Sequence, residues 1–473
     1  MSLKKTIDWR GAFIIGLAGT ILVTGVTGPV LGEFGSSAIP NFIFISGLGF
    51  LLCLCLAELA TMFPHRSGGA PSYAYVAFKD KFPRMAPHLN GITSWAYWLG
   101  WNPVIAVNML LVVTYLDAML KPYGIVVPDI LLGAVLSTLL FIPAYYGLRP
   151  GAMTGVVLAA LSVIPLVIIA LIPFFKPALI HWGNLFPITV MGKPFFGWEG
   201  IQAQMKMSFL TTWNAIAMEA AACYIAECND PQRDAPIAMA LEGSLGFFIY
   251  TLVPLSFLLV LGAAKINQDP YGMFVDFVGP VFGPATAWIV AVMLIAALLL
   301  SALNAIMGCA RSLYQMTIDG QFPHIFAHLN KHGVPDFSMA LNVVLNVFLM
   351  FLGAPAYVMV FSNVGYVVSF VPVLIAYYYL KEHHPEIQRP YSLPEFFKYI
   401  ALAMAAIFAV IWIWGGPMWG ALYYGLGWLV LLAYVPLYMI RKYTDRRAAG
   451  TGGMIVDLPL PATEANVFDA PER

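Results

Sequence analysis

Charge is what this chain has least of. Only 10% of its 473 residues are Asp, Glu, Lys or Arg, against 60% apolar, and mean hydropathy is +0.80. A soluble chain of this length carries about a quarter charged residues, so a water-soluble globular class is excluded. Cysteine is scarce. Cys53, Cys55, Cys223, Cys228 and Cys309 all fall within apolar runs, and the Cys53/Cys55 spacing matches no zinc or redox motif. They read as small buried apolar residues. The eight histidines lie in loops or at the ends of apolar runs, so no intramembrane cluster is expected to hold haem, a catalytic metal or an acyl-transfer base. That argues against a membrane enzyme, and no cofactor or metal is expected. A basic patch for nucleic acid is missing, and so is the pattern of a cleavable signal peptide: residues 1–10 are charged, and the first apolar run is long and lacks a clear processing site.

What is present is a series of apolar runs of roughly 20 residues, the length that crosses a bilayer. Twelve such spans run near 12–33, 38–62, 91–119, 129–148, 152–174, 207–228, 238–263, 284–318, 337–353, 356–380, 398–416 and 418–440. An even number puts both termini on one side. That side holds 19 of the 24 Lys and Arg, from Lys4 and Arg66 to Arg447 and Arg473; only Lys121, Lys176, Lys193, Lys206 and Lys265 face the other. The positive-inside rule then places both termini in the cytoplasm. The expected organisation is a short cytoplasmic N-terminus (1–11), one transporter domain (12–442), and a cytoplasmic tail (443–473) whose Gly, Pro, Ala and acidic content predicts disorder.

Within span 1 the run Thr24-Gly25-Val26-Thr27-Gly28-Pro29 predicts an interruption. Glycine and proline there free backbone groups that hydrocarbon cannot satisfy. Such a break either lines a substrate site, as in many secondary transporters, or is a small-residue packing seam between helices. Ionisable residues in apolar spans are functional candidates because burying them is costly. Glu219 stands mid-span in span 6 and reads as the only carboxylate near the middle of a spanning helix. Thr211, Thr212 and Asn214 precede it and compete with helix continuation, so a second break is expected near Trp213 and Ala215, although no Gly or Pro supports it. Glu219 could carry a proton, hold a cationic ligand group, or tie its span to a neighbour. Glu58, near the end of span 2, reads as a packing or interfacial group. Trp95, Trp98 and Asn102 share a face of span 3, beside Trp101; Ser301 and Asn304 share one on span 8; Asn363 is a similar candidate on span 10. Each set either lines a cavity or packs helices together.

Four segments carry a resemblance. Ala57-Glu58-Leu59-Ala60, Pro64, Ser67-Gly68-Gly69 and Tyr73-Ala74-Tyr75 follow the Gly-rich first span. Trp95, Trp98 and Gly100 open the third. Glu219 through Glu227-Cys228-Asn229-Asp230-Pro231-Gln232-Arg233 and Pro236 form the exit of the sixth. Ala310-Arg311-Ser312-Leu313-Tyr314-Gln315-Met316 runs on to Asp319-Gly320-Gln321-Phe322-Pro323. In this order they resemble the amino acid permeases of the amino acid–polyamine–organocation superfamily. The resemblance implies an all-α membrane protein with a LeuT-like 5+5 inverted repeat, helices 1 and 6 broken, plus two extra helices. It also implies that backbone N–H groups around Thr24, Gly25, Thr27 and Gly28 meet a substrate carboxylate. Carbonyls of Thr211, Asn214 and Ala215 would meet its amino group, and Trp213 would help close the pocket. Two positions depart from the family pattern: its glycines in the first helix are more tightly spaced, and Ala217 stands where it usually has Gly. Span 5 (152–174) has no Lys, Asp or Glu, and Ser301 is the only hydroxyl in 287–310. Glu219 is therefore the expected proton-coupling residue.

The expected function is secondary transport of an amino acid or related amine across the plasma membrane by alternating access, through proton symport or exchange. The alternative is a polyamine or organic-cation carrier with Glu219 as counter-charge. Its partners would be the small-molecule substrate, the lipid bilayer and a coupled proton. A channel would need a continuous polar stripe, which bulky Trp213 and broken helices oppose.

Overall fold

The computed structural model describes residues 3–448, apart from 80, 121–122, 191, 284–285 and 354. Helices account for nearly all of it, and the one hairpin pairs strands β1 (Thr189–Val190) and β2 (Lys193–Pro194) in the loop after the fifth apolar segment. The helices are α1 (Trp9–Thr20), α2 (Val23–Phe34), α3 (Ala38–Met62), α4 (Pro71–Lys79), α5 (Ala86–Trp101), α6 (Val104–Leu120), α7 (Asp129–Tyr145), α8 (Leu148–Phe175) and α9 (Trp198–Ala215). They continue with α10 (Pro231–Leu261), α11 (Ala263–Gln268), α12 (Met273–Phe282), α13 (Thr286–Ile318), α14 (Asp336–Leu349), α15 (Pro355–His383), α16 (Phe397–Val410), α17 (Ala421–Leu432) and α18 (Tyr434–Ala448). Among the described residues, eight helical runs are long and apolar enough to cross a bilayer, one of them the compound run Trp9–Met62; Asp129–Tyr145 and Asp336–Leu352 are shorter apolar helices. Segment 207–228 is not a single helix: α9 gives way to a 3-10 stretch, Ala217–Glu227.

Local chemistry sets the boundaries. Asp8 caps α1, accepting from the N–H groups of Arg10 and Gly11 at 3.1 and 3.2 Å. Asp230 caps α10, with Pro231 in the first turn, where its missing N–H costs nothing. That pair starts α10 at 231, two turns before the expected 238. Span 3 divides into α5 and α6 at Asn102–Pro103, because Pro103 cannot donate to the preceding turn. The loop expected at 63–90 contains α4. Of the tail, α18 runs through Ala448, and the remainder lies outside the described residues.

The bundle is tight where small residues meet. A Cβ on Gly243 would lie 3.0–3.1 Å from Phe50 and Cys53, and one on Gly246 would lie 3.0 Å from Met218, so α3, α10 and the 217–227 stretch approach closely. By contrast α8 leaves Met153, Val157, Leu161, Ile164 and Ile168 exposed along one side, an apolar face suited to lipid. At one end of the bundle the chain start is pinned to the exit of the 3-10 stretch: Thr6 N–H donates to the Glu227 carbonyl at 3.0 Å, and Asn229 N–H to that of Ile7 at 2.8 Å.

That same end is closed by buried ion pairs. The Arg66 guanidinium lies 2.5 Å from Asp319, which also accepts from Asn90 and Gln315 at 3.0 Å. Arg311 pairs with Glu227. Glu58 receives Lys381 at 2.9 Å, Tyr377 O–H at 2.6 Å and the Leu393 N–H at 3.0 Å. Glu58 therefore does what its packing reading anticipated, tying α3 to α15 and the segment beyond it.

Candidate functional site

The first apolar span is interrupted, but earlier than its glycine–proline run suggested. α1 ends at Thr20, Ile21 and Leu22 form a turn, and α2 begins at Val23. Thr24 stays at the break, its hydroxyl donating to the Ile21 carbonyl at 2.9 Å. Gly25, Thr27, Gly28 and Pro29 are helical. Thr27 donates to the Val23 carbonyl at 2.7 Å. A Cβ on Gly25 would meet the Leu111 side chain at 3.2 Å, and one on Gly28 would overlap the Pro270 carbonyl. These two glycines serve as packing seams. Pro29 removes one N–H from α2, which one helix tolerates.

The glycines that shape the break are Gly16 and Gly19. A Cβ on Gly19 would overlap the carbonyl of Ala217, and one on Gly16 would stand 2.6 Å from the carboxyl atoms of Glu242. The first interruption is thus pressed backbone to backbone against the second. That second one follows Ala215, where α-helix changes to the eleven-residue 3-10 stretch Ala217–Glu227. Runs of 3-10 beyond a turn are uncommon and mark strained or functional segments. A Cβ on Gly49 would lie 2.7 Å from the Ala215 carbonyl, which places α3 behind this break.

The backbone groups freed at both breaks meet α10. Tyr250 O–H lies 3.1 Å from the Gly19 carbonyl and 2.9 Å from that of Asn214, so one hydroxyl serves the ends of α1 and α9. Nearer the start of α10, Glu242 Oε2 accepts the Ala221 N–H at 3.1 Å. Sequence reading missed both residues. Starting span 7 at 238 left Glu242 at its edge, whereas α10 begins at Pro231 and carries Glu242 about 16 Å along its axis at the usual rise. Glu219 is therefore not the only carboxylate deep in a spanning helix. The Asp230-Pro231 cap was the signal that would have shown it.

Glu219 is fully buried and faces a different set of elements. Tyr97 O–H lies 3.0 and 3.1 Å from its two oxygens. Oε1 also accepts from Trp101 Nε1 at 3.3 Å and from Tyr366 O–H at 2.8 Å. Its carboxyl thus joins the 3-10 stretch to α5 and α15 through neutral donors alone.

The remaining predicted residues divide. Trp213 lies in the wall beside the second break, its Nε1 donating to the Gly100 carbonyl at 3.1 Å. Thr211 is bound to Asn41 of α3 at 2.7 Å. Asn102 accepts from Asn346 at 3.0 Å, bracing the α5–α6 bend against α14. Asn304 pairs with the Tyr224 hydroxyl of the 3-10 stretch. Asn363 donates to the Phe209 carbonyl. A second group has no partner among the described residues although buried: Thr20 Oγ1, both side-chain atoms of Asn214, both of Asn108, and Ser301 Oγ. They belong to the ends of α1 and α9 and to α6 and α13, which pack against one another or against the broken segments. Buried polar atoms are nearly always satisfied, so unpartnered Thr20 and Asn214 at the ends of α1 and α9 leave polar groups at the two breaks that a polar occupant could meet. All five cysteines are buried and unpaired.

The comparisons agree with this architecture. The family model described as amino acid permease matches residues 7–434. The chain is 23% identical over 354 residues to the amino-acid permease RocE of Bacillus subtilis (strain 168), covering 72% of each protein. To the methylthioribose transporter of the same organism it is 23% identical over 425 residues, covering 83% of this chain and 85% of the relative. To the lysine-specific permease LysP of Escherichia coli (strain K12) it is 22% identical over 366 residues, covering 72% of this chain and 70% of the relative. With the match extending over nearly the whole helical bundle, the chain belongs to the amino acid permease family of the amino acid–polyamine–organocation superfamily, as a multi-pass membrane transporter and not an enzyme.

Proposed function

We propose that this protein is a secondary active transporter that carries an amino acid or closely related amine across the plasma membrane by alternating access. The observation that carries the reading is the meeting of two interrupted helices at Gly19 and Ala217, with Thr20 and Asn214 at their ends buried and without a partner among the described residues. A zwitterion suits such a place, because helix ends offer N–H groups to a carboxylate and carbonyls to an ammonium. In this reading twelve crossings form two inverted five-helix repeats plus two further helices, with both termini in the cytoplasm. Gly19, Thr20 and Thr24 shape the first half of the site, with Gly25, Thr27 and Gly28 packing the helix behind it; Thr211, Trp213, Asn214 and Ala215 shape the second; Trp101, Asn102 and Asn304 hold its walls.

Coupling is assigned to Glu219. An ionised carboxylate only accepts hydrogen bonds, so it can use all three donors that Tyr97, Trp101 and Tyr366 present from α5 and α15. A proton turns one oxygen into a donor and weakens that latch between the 3-10 stretch and its neighbours. As a direct counter-charge for a cationic substrate, Glu219 would have to use Oε2, since Oε1 already meets three donors.

A thermal-shift screen of the purified protein against amino acids and amines, followed by uptake of each hit into proteoliposomes with and without a pH gradient, tests the proposal. Stabilisation and gradient-driven uptake of an amino acid are expected. Stabilisation by polyamines alone would replace the substrate class.

A further inference from the structure

Glu242 stands apart from Glu58, Glu219, Glu227 and Asp319; Asp234, in the first turn of the same helix, also meets only backbone N–H, but at the capped helix end. Glu242 is 0% exposed. Glu58, Glu227 and Asp319 each meet a Lys or Arg, and Glu219 meets three side-chain donors. Glu242 meets the Ala221 N–H on Oε2, while Oε1 has no hydrogen-bond partner among the described residues. The titratable groups facing it are Glu219 and Cys223 of the 3-10 stretch and Cys53 of α3. The facing turn of α1 presents Gly16, and the packed part of α8 carries no ionisable residue. No basic side chain stands opposite.

An ionised carboxylate in such a place needs a counter-charge or a full set of donors. The neighbouring backbone N–H groups of Ala221 and Ala220 do not supply that, whereas a proton on Oε1 removes the charge. A metal cation would need several oxygen ligands around Oε1, and Gly16 leaves room for nothing larger than the carboxyl itself. The residue also sits at a lever point. Its other oxygen holds the Ala221 N–H within the 3-10 stretch, four residues after Ala217, where the two interrupted helices touch. The attraction of an anion for that N–H exceeds that of a neutral acid. Gain and loss of a proton would therefore change how firmly α10 holds the stretch.

We propose that Glu242 is a second proton-binding carboxylate of the transport cycle, carrying its proton on Oε1 and releasing it as the junction between α1, the 3-10 stretch and α10 rearranges. The proposal rests on the reading of the protein as a proton-coupled carrier, but it concerns a different residue from Glu219. Two coupled protons support about a hundredfold accumulation per pH unit at zero membrane potential, and one supports about tenfold, since each tenfold ratio is about 1.4 kcal/mol.

The test compares wild type, Glu242→Gln and Glu219→Gln in proteoliposomes with the membrane potential clamped at zero, alongside pH-difference infrared spectra of the same preparations. Expected for Glu242→Gln is substrate binding within about twofold of wild type, accumulation about tenfold lower per pH unit, and loss of one titrating carboxylic C=O band that Glu219→Gln retains. Wild-type accumulation and an unchanged infrared spectrum in a folded Glu242→Gln protein would overturn the proposal and leave Glu219 untouched. Loss of coupling in Glu242→Gln with normal coupling in Glu219→Gln would overturn the role given to Glu219 instead. If Glu242→Gln does not fold, Glu242→Asp decides: its carboxylic band should titrate at a shifted frequency, and a spectrum identical to wild type rejects the site. A wild-type protein that accumulates nothing under a pH gradient overturns the coupled role.

Discussion

Two buried carboxylates, Glu58 and Glu219, show how differently this bundle treats charge at its end and at its centre. Glu58 lies among Lys381, Tyr377, the Leu393 N–H and Arg389, the last at 3.3 Å. Its charge is answered within the structure, so its work is to hold α3 to α15. Glu219 is as deeply buried, yet its hydrogen-bond donors among the described residues are the neutral Tyr97, Trp101 and Tyr366. A paired acid is a pin, and an acid held by neutral donors can change its proton without breaking an ion pair. The end of the bundle is built to stay closed by charge, while the centre is built from breaks, orphaned polar atoms and unpaired acids.

The largest effect should come from breaking the pin. Lys381→Met leaves Glu58 with Arg389 as its remaining cation, a loss approaching the roughly 3–5 kcal/mol of a broken buried pair. Unfolding of the detergent-solubilised protein should show it, and Glu58→Gln added to Lys381→Met should restore part of the stability. A single variant that melts like wild type would remove Glu58 from the structural side of the comparison.

Overpacking the centre comes next. Gly19→Ala puts a methyl group onto the Ala217 carbonyl, at a cost of about 1–3 kcal/mol, and should abolish uptake in protein that still reaches the membrane. Gly25→Ala meets only the movable end of Leu111 and should transport normally. If the two behave in the opposite order, the substrate-facing break lies in the glycine–proline run after all.

Tyr250→Phe removes the hydroxyl shared by the Gly19 and Asn214 carbonyls. Leaving a buried acceptor unmet costs about 1–3 kcal/mol. Melting should fall accordingly, and substrate should restore more of it than in wild type if it takes over those carbonyls. Glu219→Gln sharpens the central comparison directly: folding and substrate binding should survive, while pH-driven accumulation falls about tenfold per pH unit, the share of one of two coupled protons. Full accumulation in a stable Glu219→Gln protein would end its coupling role.

The smallest effect belongs to the exposed pair of Lys193 and Glu199, 2.6 Å apart but 54% and 64% exposed. Such pairs contribute little, so Lys193→Cys should leave melting unchanged. Because the native cysteines are buried, the new thiol should react with an impermeant reagent added to intact cells. A cysteine at Ala449, outside the described residues, should be protected. The reverse pattern would invert the orientation.

Much of this was readable from residue types alone. A chain with 10% charge and long apolar runs has to satisfy its backbone within helices, because hydrocarbon offers no partner. That determined the all-helical membrane class, and ordered motifs from Glu58 to Pro323 indicated the family. The buried role of the cysteines and the central place of Glu219 follow from composition and position. Where the helices break did not. Glycine and proline mark where a helix is weak in isolation, and they pointed to 24–29. The actual break at Ile21–Leu22 is set by which backbones touch: Gly19 against Ala217, with Tyr250 and Glu242 reaching over from α10 to meet the freed groups. Gly19 is separated from Ala217 and Tyr250 by some two hundred residues of chain, and no local pattern encodes their meeting. Only the packed bundle decides which polar groups are answered and which, like Asn214 and Ser301, are left open for something else, because satisfaction of a buried polar atom depends on its neighbours in space rather than in sequence.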